Sequence, residues 1–357
     1  MDGELSGNLF YRPVPYILIA LAYLYVTPNS MRTKRLKVEG GIYHCMSRTV
    51  NGDALFENRE KEVLRKMIHR IADFSGVEIL TFCLMNNHFH VLVRVPKTSH
   101  VPDKELMRRY RVLYPEPTTY ETSTAAVMQR ELEAGGEDAE AIRERLLARM
   151  EDVSAFMKTL KQRFSTWFNK THERYGPLWS DRFKSVLVEG KGNVLQTMAA
   201  YIDLNPVRAG LVEDPKDYRF CGYSEAIAGR RDAVRSLKFL TAGLYSISAE
   251  EALAHYRCML FGKGSAPAGN TAEINRADAV RVLKKEQGTL PQCTLLRCRI
   301  RYFSEGAVLG SREFVQSLVE RWQRSTGRKY RPEPRMIVAK DSEVLAVMKH
   351  VRGAIYS

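Results

Sequence analysis

A ferredoxin-like α+β fold, an antiparallel sheet covered by helices, is predicted by the order of segments between Gly41 and Leu204. Short strand-like runs occur at Ile42–Arg48, Val77–Met85, His88–Val95 and Arg182–Glu189. Apolar residues recur at helical spacing in Asn58–Ser75 and Val153–Arg174. The Asn86-Asn87 pair suits a tight hairpin between the second and third strands, because Asn tolerates positive φ. The order is thus β-α-β-β-α-β, and a further helix over Asn193–Leu204 is left to cover the second face of the sheet.

Each element follows from its residues. In the first helix Val63, Leu64, Met67, Ile68, Ile71, Ala72 and Phe74 form the apolar stripe. In the second long helix Phe156, Leu160, Phe164, Trp167 and Phe168 do the same. Between them lies a charged insertion, about 102–152, helical in pattern and broken by Pro115, Pro117 and Gly135-Gly136. Pro206 stops the helix that begins near Asn193. The chain therefore reads as an N-terminal extension (1–30), an α+β domain (31–230) and, after a linker at Gly262–Gly269, a smaller basic C-terminal region (270–357). That last region reads as mainly helical and DNA-binding, with two helical stretches flanking Leu309-Gly310-Ser311 as a helix-turn-helix candidate.

The 357 residues carry 55 Lys and Arg against 41 Asp and Glu, a net charge of +14, which favours a polyanionic partner such as nucleic acid. A solvated basic surface is the alternative. Six cysteines include no CxxC pair, which speaks against a zinc ribbon or thioredoxin-type site and for reduced thiols in a cytoplasm. Val14–Val26 is an apolar run too short for a confident membrane span. Asp2 and Glu4 outweigh Arg12 where a signal peptide needs a basic start. Residues 1–30 read as an upstream extension, with a membrane anchor as the alternative. A cytoplasmic, nucleoid-associated protein without a membrane partner is expected.

His88 and His90 are two apart on a strand, so both imidazoles project to one side while Phe89 points into the core. Such a pair can share a divalent cation; an isolated HxH is more often an ordinary pair of surface histidines. Tyr201 and Asn205 lie four apart on a helix, on one face. Asn205 offers a neutral oxygen, and Tyr201 a hydroxyl one turn away. Alone, each has an ordinary reading, as one of 17 tyrosines packed on a helix and as a helix-end residue before Pro206.

CLMNNHFHVLVRVP resembles the histidine strand of single-tyrosine HUH transposases, and AAYIDLNPVRAGLV resembles the tyrosine helix of their REP-associated subgroup. GIYHCMSR and GPLWSDRFKSVLVE are similar to that subgroup's first and fourth strands. The resemblance runs from about Met31 to Glu225. It implies an HUH endonuclease core, with Tyr201 as nucleophile and His88, His90 and Asn205 as ligands of a divalent ion, Mg or Mn. The reaction it implies is transposition-type cleavage and rejoining of single-stranded DNA through a 5′-phosphotyrosine, on hairpin-forming repeats. With one tyrosine in the motif, successive cuts need a reset, a second site or a second molecule, so a homodimer is one expectation. Asp203 occupies a variable position of the motif.

His44, Arg48, Arg182 and Lys184 are expected to contact DNA, and Trp167, Trp179 and Phe183 to be stacking platforms or core. The rival functions are a domesticated, non-catalytic nucleic-acid binding module, a water-using metal nuclease, and a replication initiator or relaxase with the same chemistry.

Overall fold

The computed structural model describes residues 36–96, 100–115, 124–242, 248–261, 307–326, 335–337 and 345–348. The N-terminal extension and the 262–269 linker lie outside the described residues. Strand β1 (Ile42–Arg48) leads into helix α1 (Asn58–Ser75), then the hairpin β2 (Glu78–Leu84) and β3 (His88–Arg94). The insertion forms α2 (Asp103–Leu113), α3 (Ala125–Ala134) and α4 (Gly136–Leu147). Then follow α5 (Val153–Thr171), β4 (Lys184–Val188), α6 (Gly192–Asp203) and the short α7 (Asn205–Arg208). Helices α8 (Gly222–Ile227), α9 (Arg231–Ala242) and α10 (Ala249–Phe261) complete this part.

The first four strands lie in the order β2-β3-β1-β4 and are antiparallel throughout, the arrangement of a split βαβ unit. Phe89, on the face of β3 opposite the histidines, packs against Trp179; Trp179 in turn meets Phe56 and Phe164 of α5. This aromatic cluster joins one face of the sheet to α5. Helix α6 covers the other face, where the rings of His44 and His90 meet Tyr201.

The hairpin at Asn86-Asn87 forms, and Met85 N–H donates to His88 O at 2.8 Å to close it. Its mechanism differs from the expected one, because neither asparagine takes positive φ. The two side chains serve as hydrogen-bonding groups instead. Asn86 Oδ1 accepts from Lys61 Nζ at 2.9 Å, and Asn87 Nδ2 donates to Gly52 O at 2.8 Å.

Beyond the linker, β5 (Val308–Gly310), α11 (Arg312–Thr326), β6 (Arg335–Ile337) and β7 (Leu345–Met348) follow. Strand β5 pairs parallel with β4, and the sheet continues β5-β7-β6 to seven strands. The helix-turn-helix expected at Leu309-Gly310-Ser311 is thus corrected: Leu309 and Gly310 end a strand rather than forming a turn, and α11 starts directly after it. Strands of three or four residues are too short to show a period, so the pattern leaves them unread. Glu189 at the end of β4 accepts from Ser311 N–H at 2.6 Å, fixing the start of α11 beside the sheet.

Candidate active site

Register fixes which side chains meet. His88 lies opposite Arg48, His90 opposite Met46 and His44 opposite Leu92, so His44, Arg48, His88 and His90 share one face. Lys184 pairs with Met46 and extends the same row, two strands from His90, or roughly 10 Å at ordinary strand spacing. Arg48, Arg182 and Lys184 are exposed. His44 departs from the expected DNA surface: it is 1% exposed, and its Nε2 lies 2.8 Å from His90 Nδ1.

The two imidazoles are oriented by neighbours. His88 Nδ1 meets Asn87 Oδ1 at 2.6 Å, an acceptor, so Nδ1 carries the proton and Nε2 the lone pair. His90 has its Nδ1 engaged by His44, which leaves Nε2 as the nitrogen for a ligand role. Burial, and then the nearby His44, His88 and Arg208, hold the His90 pKa well below the usual histidine value. Its imidazole is therefore neutral at pH 7, the form that binds metals. The His88 and His90 ring centroids are 5.1 Å apart.

Helix α6 brings Tyr201 against His90 and His44, its ring centroid 6.0 Å from His90 and 6.2 Å from His44. Pro206 ends the helix, since it has no N–H to give Ile202 O. Asn205 supplies the missing donor: its Nδ2 donates to Ile202 O at 3.0 Å and to Tyr201 O at 3.2 Å. With the amide nitrogen so used, Oδ1 is the atom that can act as a ligand. Among the described residues no three His, Cys, Asp or Glu side chains cluster as a metal site. The amide oxygen of Asn205, one helical turn from Tyr201, is a neutral donor of the kind that can join two imidazoles at a divalent ion.

Sequence reasoning missed Arg208, Asn87 and Asp203. The Arg208 guanidinium lies 4.1 Å from the centre of the Tyr201 ring. It is seven residues after Tyr201 and three after Asn205, and this same-face spacing could have revealed it. The sequence pattern marks Asn87 only as a turn residue. Asp203, on the far side of α6 from Tyr201, is 1% exposed. It accepts from Thr81 Oγ1 at 2.7 Å, from Tyr223 N–H at 3.3 Å and from the Tyr256 hydroxyl. Burial raises its pKa from 3.8 to about 7, against the pull of these three donors. Gly222 allows the close approach behind Asp203, because a Cβ there would sit 2.3 Å from Thr81 Oγ1. Trp179 and Phe183 are taken up in packing, Trp179 through the aromatic cluster and Phe183 at 8% exposure.

Residues 37–112 match the family described as IS200-like transposases. The histidine strand lies inside this span, and the Tyr201 helix lies beyond it. Among solved structures, the chain is similar to one described as a REP-associated tyrosine transposase bound to a REP hairpin. The identity is 15% and the TM-score 0.33, with 53% of this chain and 81% of that one covered. No curated protein gives a match. The IS200-like match supports a transposase-like function. No helix among the described residues is long and apolar enough to cross a membrane.

Proposed function

We propose that this protein cuts and rejoins single-stranded DNA through Tyr201, as a transposase-type enzyme acting on hairpin-forming DNA. The observation that carries this reading is the meeting of Tyr201, His90 and His44 on one sheet face, within a single chain. His88, His90 and Asn205 would hold a divalent ion, Mg or Mn. Bound there, the ion would polarise the scissile phosphate and ease departure of the 3′ oxygen.

The chain's own groups do the rest. His44 and Asn87 fix the two imidazoles. Arg208 holds the Tyr201 ring and offers charge to the phosphate that approaches it. The Tyr201 hydroxyl attacks phosphorus, the bond to the 3′ oxygen breaks, and a 5′-phosphotyrosine and a free 3′-hydroxyl remain. The bond energy stays in the tyrosyl ester, so a second strand's 3′-hydroxyl can reverse the step without ATP.

The test is the fate of the 5′ end. Single-stranded DNA carrying a cleavable site, incubated with Mn or Mg, should leave a protein–DNA species that survives SDS and heat. Tyr201→Phe should remove it while DNA affinity changes little. Efficient cutting with both ends released would instead indicate a water-using nuclease. Binding without cutting from a verified site would indicate a non-catalytic module.

A further inference from the structure

The loop between α5 and β4 presents Tyr175, which at 94% exposure is the most exposed large apolar side chain among the described residues. Its neighbours hold the loop in shape. Arg174 N–H donates to Asn169 O, and Asn169 Nδ2 donates to Gly176 O, both at 2.9 Å, so Tyr175 is tied down on either side. Glu173 and Gly176 turn the chain at φ 48° and 89°. Before the tip, His172 Nε2 lies 3.3 Å from Glu60 Oε1. After it, Val50 N–H donates to Leu178 O, and Ser180 N–H donates to Arg48 O. Arg48 sits opposite His88, so the loop is joined to the strand end that carries the histidine pair.

A ring carried on a pinned stretch of backbone and left in water at the edge of a basic surface has a natural ligand in the flat face of an unpaired base. Arg48, Arg182 and Lys184 are exposed on the segments that border the loop and can follow the backbone of the same strand. Of the other aromatics of this stretch, Phe183 is buried and Trp179 is partly buried against Phe56, Phe89 and Phe164. We propose that Tyr175 is a stacking platform for an unpaired base next to the cleavage site. The proposal rests on the DNA-processing reading above and adds to it the position at which the single strand is gripped.

The test uses the full chain and two DNA probes: a hairpin with unpaired arms carrying a fluorescent adenine analogue, and the same hairpin without arms. Tyr175→Ala should weaken binding of the armed hairpin by about fivefold to a hundredfold, the span measured for single base–aromatic stacks. It should also restore fluorescence that the wild type quenches at one arm position. Tyr175→Phe should keep both properties, and affinity for the armless hairpin should not change. Equal affinities for Tyr175→Ala and wild type on the armed probe would overturn the proposal, as would equal losses on both probes. Self-association lost in Tyr175→Ala without any change in DNA binding would overturn it in favour of a protein contact. Adduct formation separates the two claims: quenching at the arm by a wild type that forms no adduct would sink the cutting chemistry and leave the stacking role standing.

Discussion

The two sides of helix α6 do different work with the same chemical vocabulary. On one side Tyr201, with Asn205 and Arg208 just beyond the helix end, meets the histidines of the sheet. On the other, Asp203 is locked by Thr81, Tyr223 and Tyr256, which come from β2, α8 and α10. Under the proposed function the first side is a reaction surface and the second an anchor. A nucleophile that must sit within a few ångströms of its phosphate needs a helix that does not drift. The contrast predicts that substitutions on the first side remove chemistry and spare stability, and that those on the second do the reverse.

The largest effect is expected at His90. His90→Ala should reduce cleavage to background while thermal unfolding stays cooperative, and excess chelator should do the same to the intact protein. Full cleavage in chelator would remove the metal from the mechanism. Next comes Arg208→Ala, expected to slow adduct formation about a hundredfold, the usual cost of losing one donor aimed at developing charge. Its melting temperature should scarcely move. A large loss of stability there would place Arg208 with the anchor.

On the anchor side the effect lies in pH and stability. The Asp203 carboxyl titrates near 7 in the folded protein and near 3.8 when solvated, so the fold binds the proton more tightly than the unfolded chain does. Stability from this group is therefore fullest below pH 4 and is lost as pH rises to about 7. The full swing is on the order of 4 kcal/mol. Asp203→Asn, uncharged throughout, should flatten that part of the pH–stability curve, measured by denaturant unfolding from pH 4 to 8. An unchanged slope would mean that the three donors keep the carboxylate charged at all these pH values.

The smallest effect concerns the basic C-terminal region. Removing everything after Gly269 is a poor test, because β5 covers the edge of β4 and Val308, Leu309 and Trp322 are buried. Arg312 and Arg324 are exposed on α11 and can be changed alone. If each meets a phosphate, Arg312→Ala and Arg324→Ala should each lower the salt slope of DNA binding by about one. Unchanged slopes would assign the basic excess to the sheet face.

The shared faces of the histidines and of Tyr201 with Asn205 were legible because they are written in short spacings. Two residues on a strand and four on a helix fix a shared face whatever the rest of the chain does. The four-strand order was legible for a related reason: long apolar periods and a two-residue hairpin leave few topologies open. The anchor was not. Asp203 depends on Tyr256, 53 residues away, and no spacing in the sequence links them. His44 is expected from the sequence at a DNA contact and lies buried instead, because a strand pattern does not show the hydrogen bond to His90 that holds the ring inside. The three C-terminal strands went unread because each takes its identity from its pairing partner rather than from its own residues.

The most direct test of the reaction side is where the DNA ends up on the protein. After incubation with a cleavable single strand and Mn, the covalent product can be digested with nuclease and protease and the nucleotide-bearing peptide sequenced by mass spectrometry. A nucleotide on Tyr201 is the result predicted by its position against His90 and Arg208. A nucleotide on any other tyrosine, or an adduct that persists in Tyr201→Phe, would contradict the assignment and move the active site elsewhere.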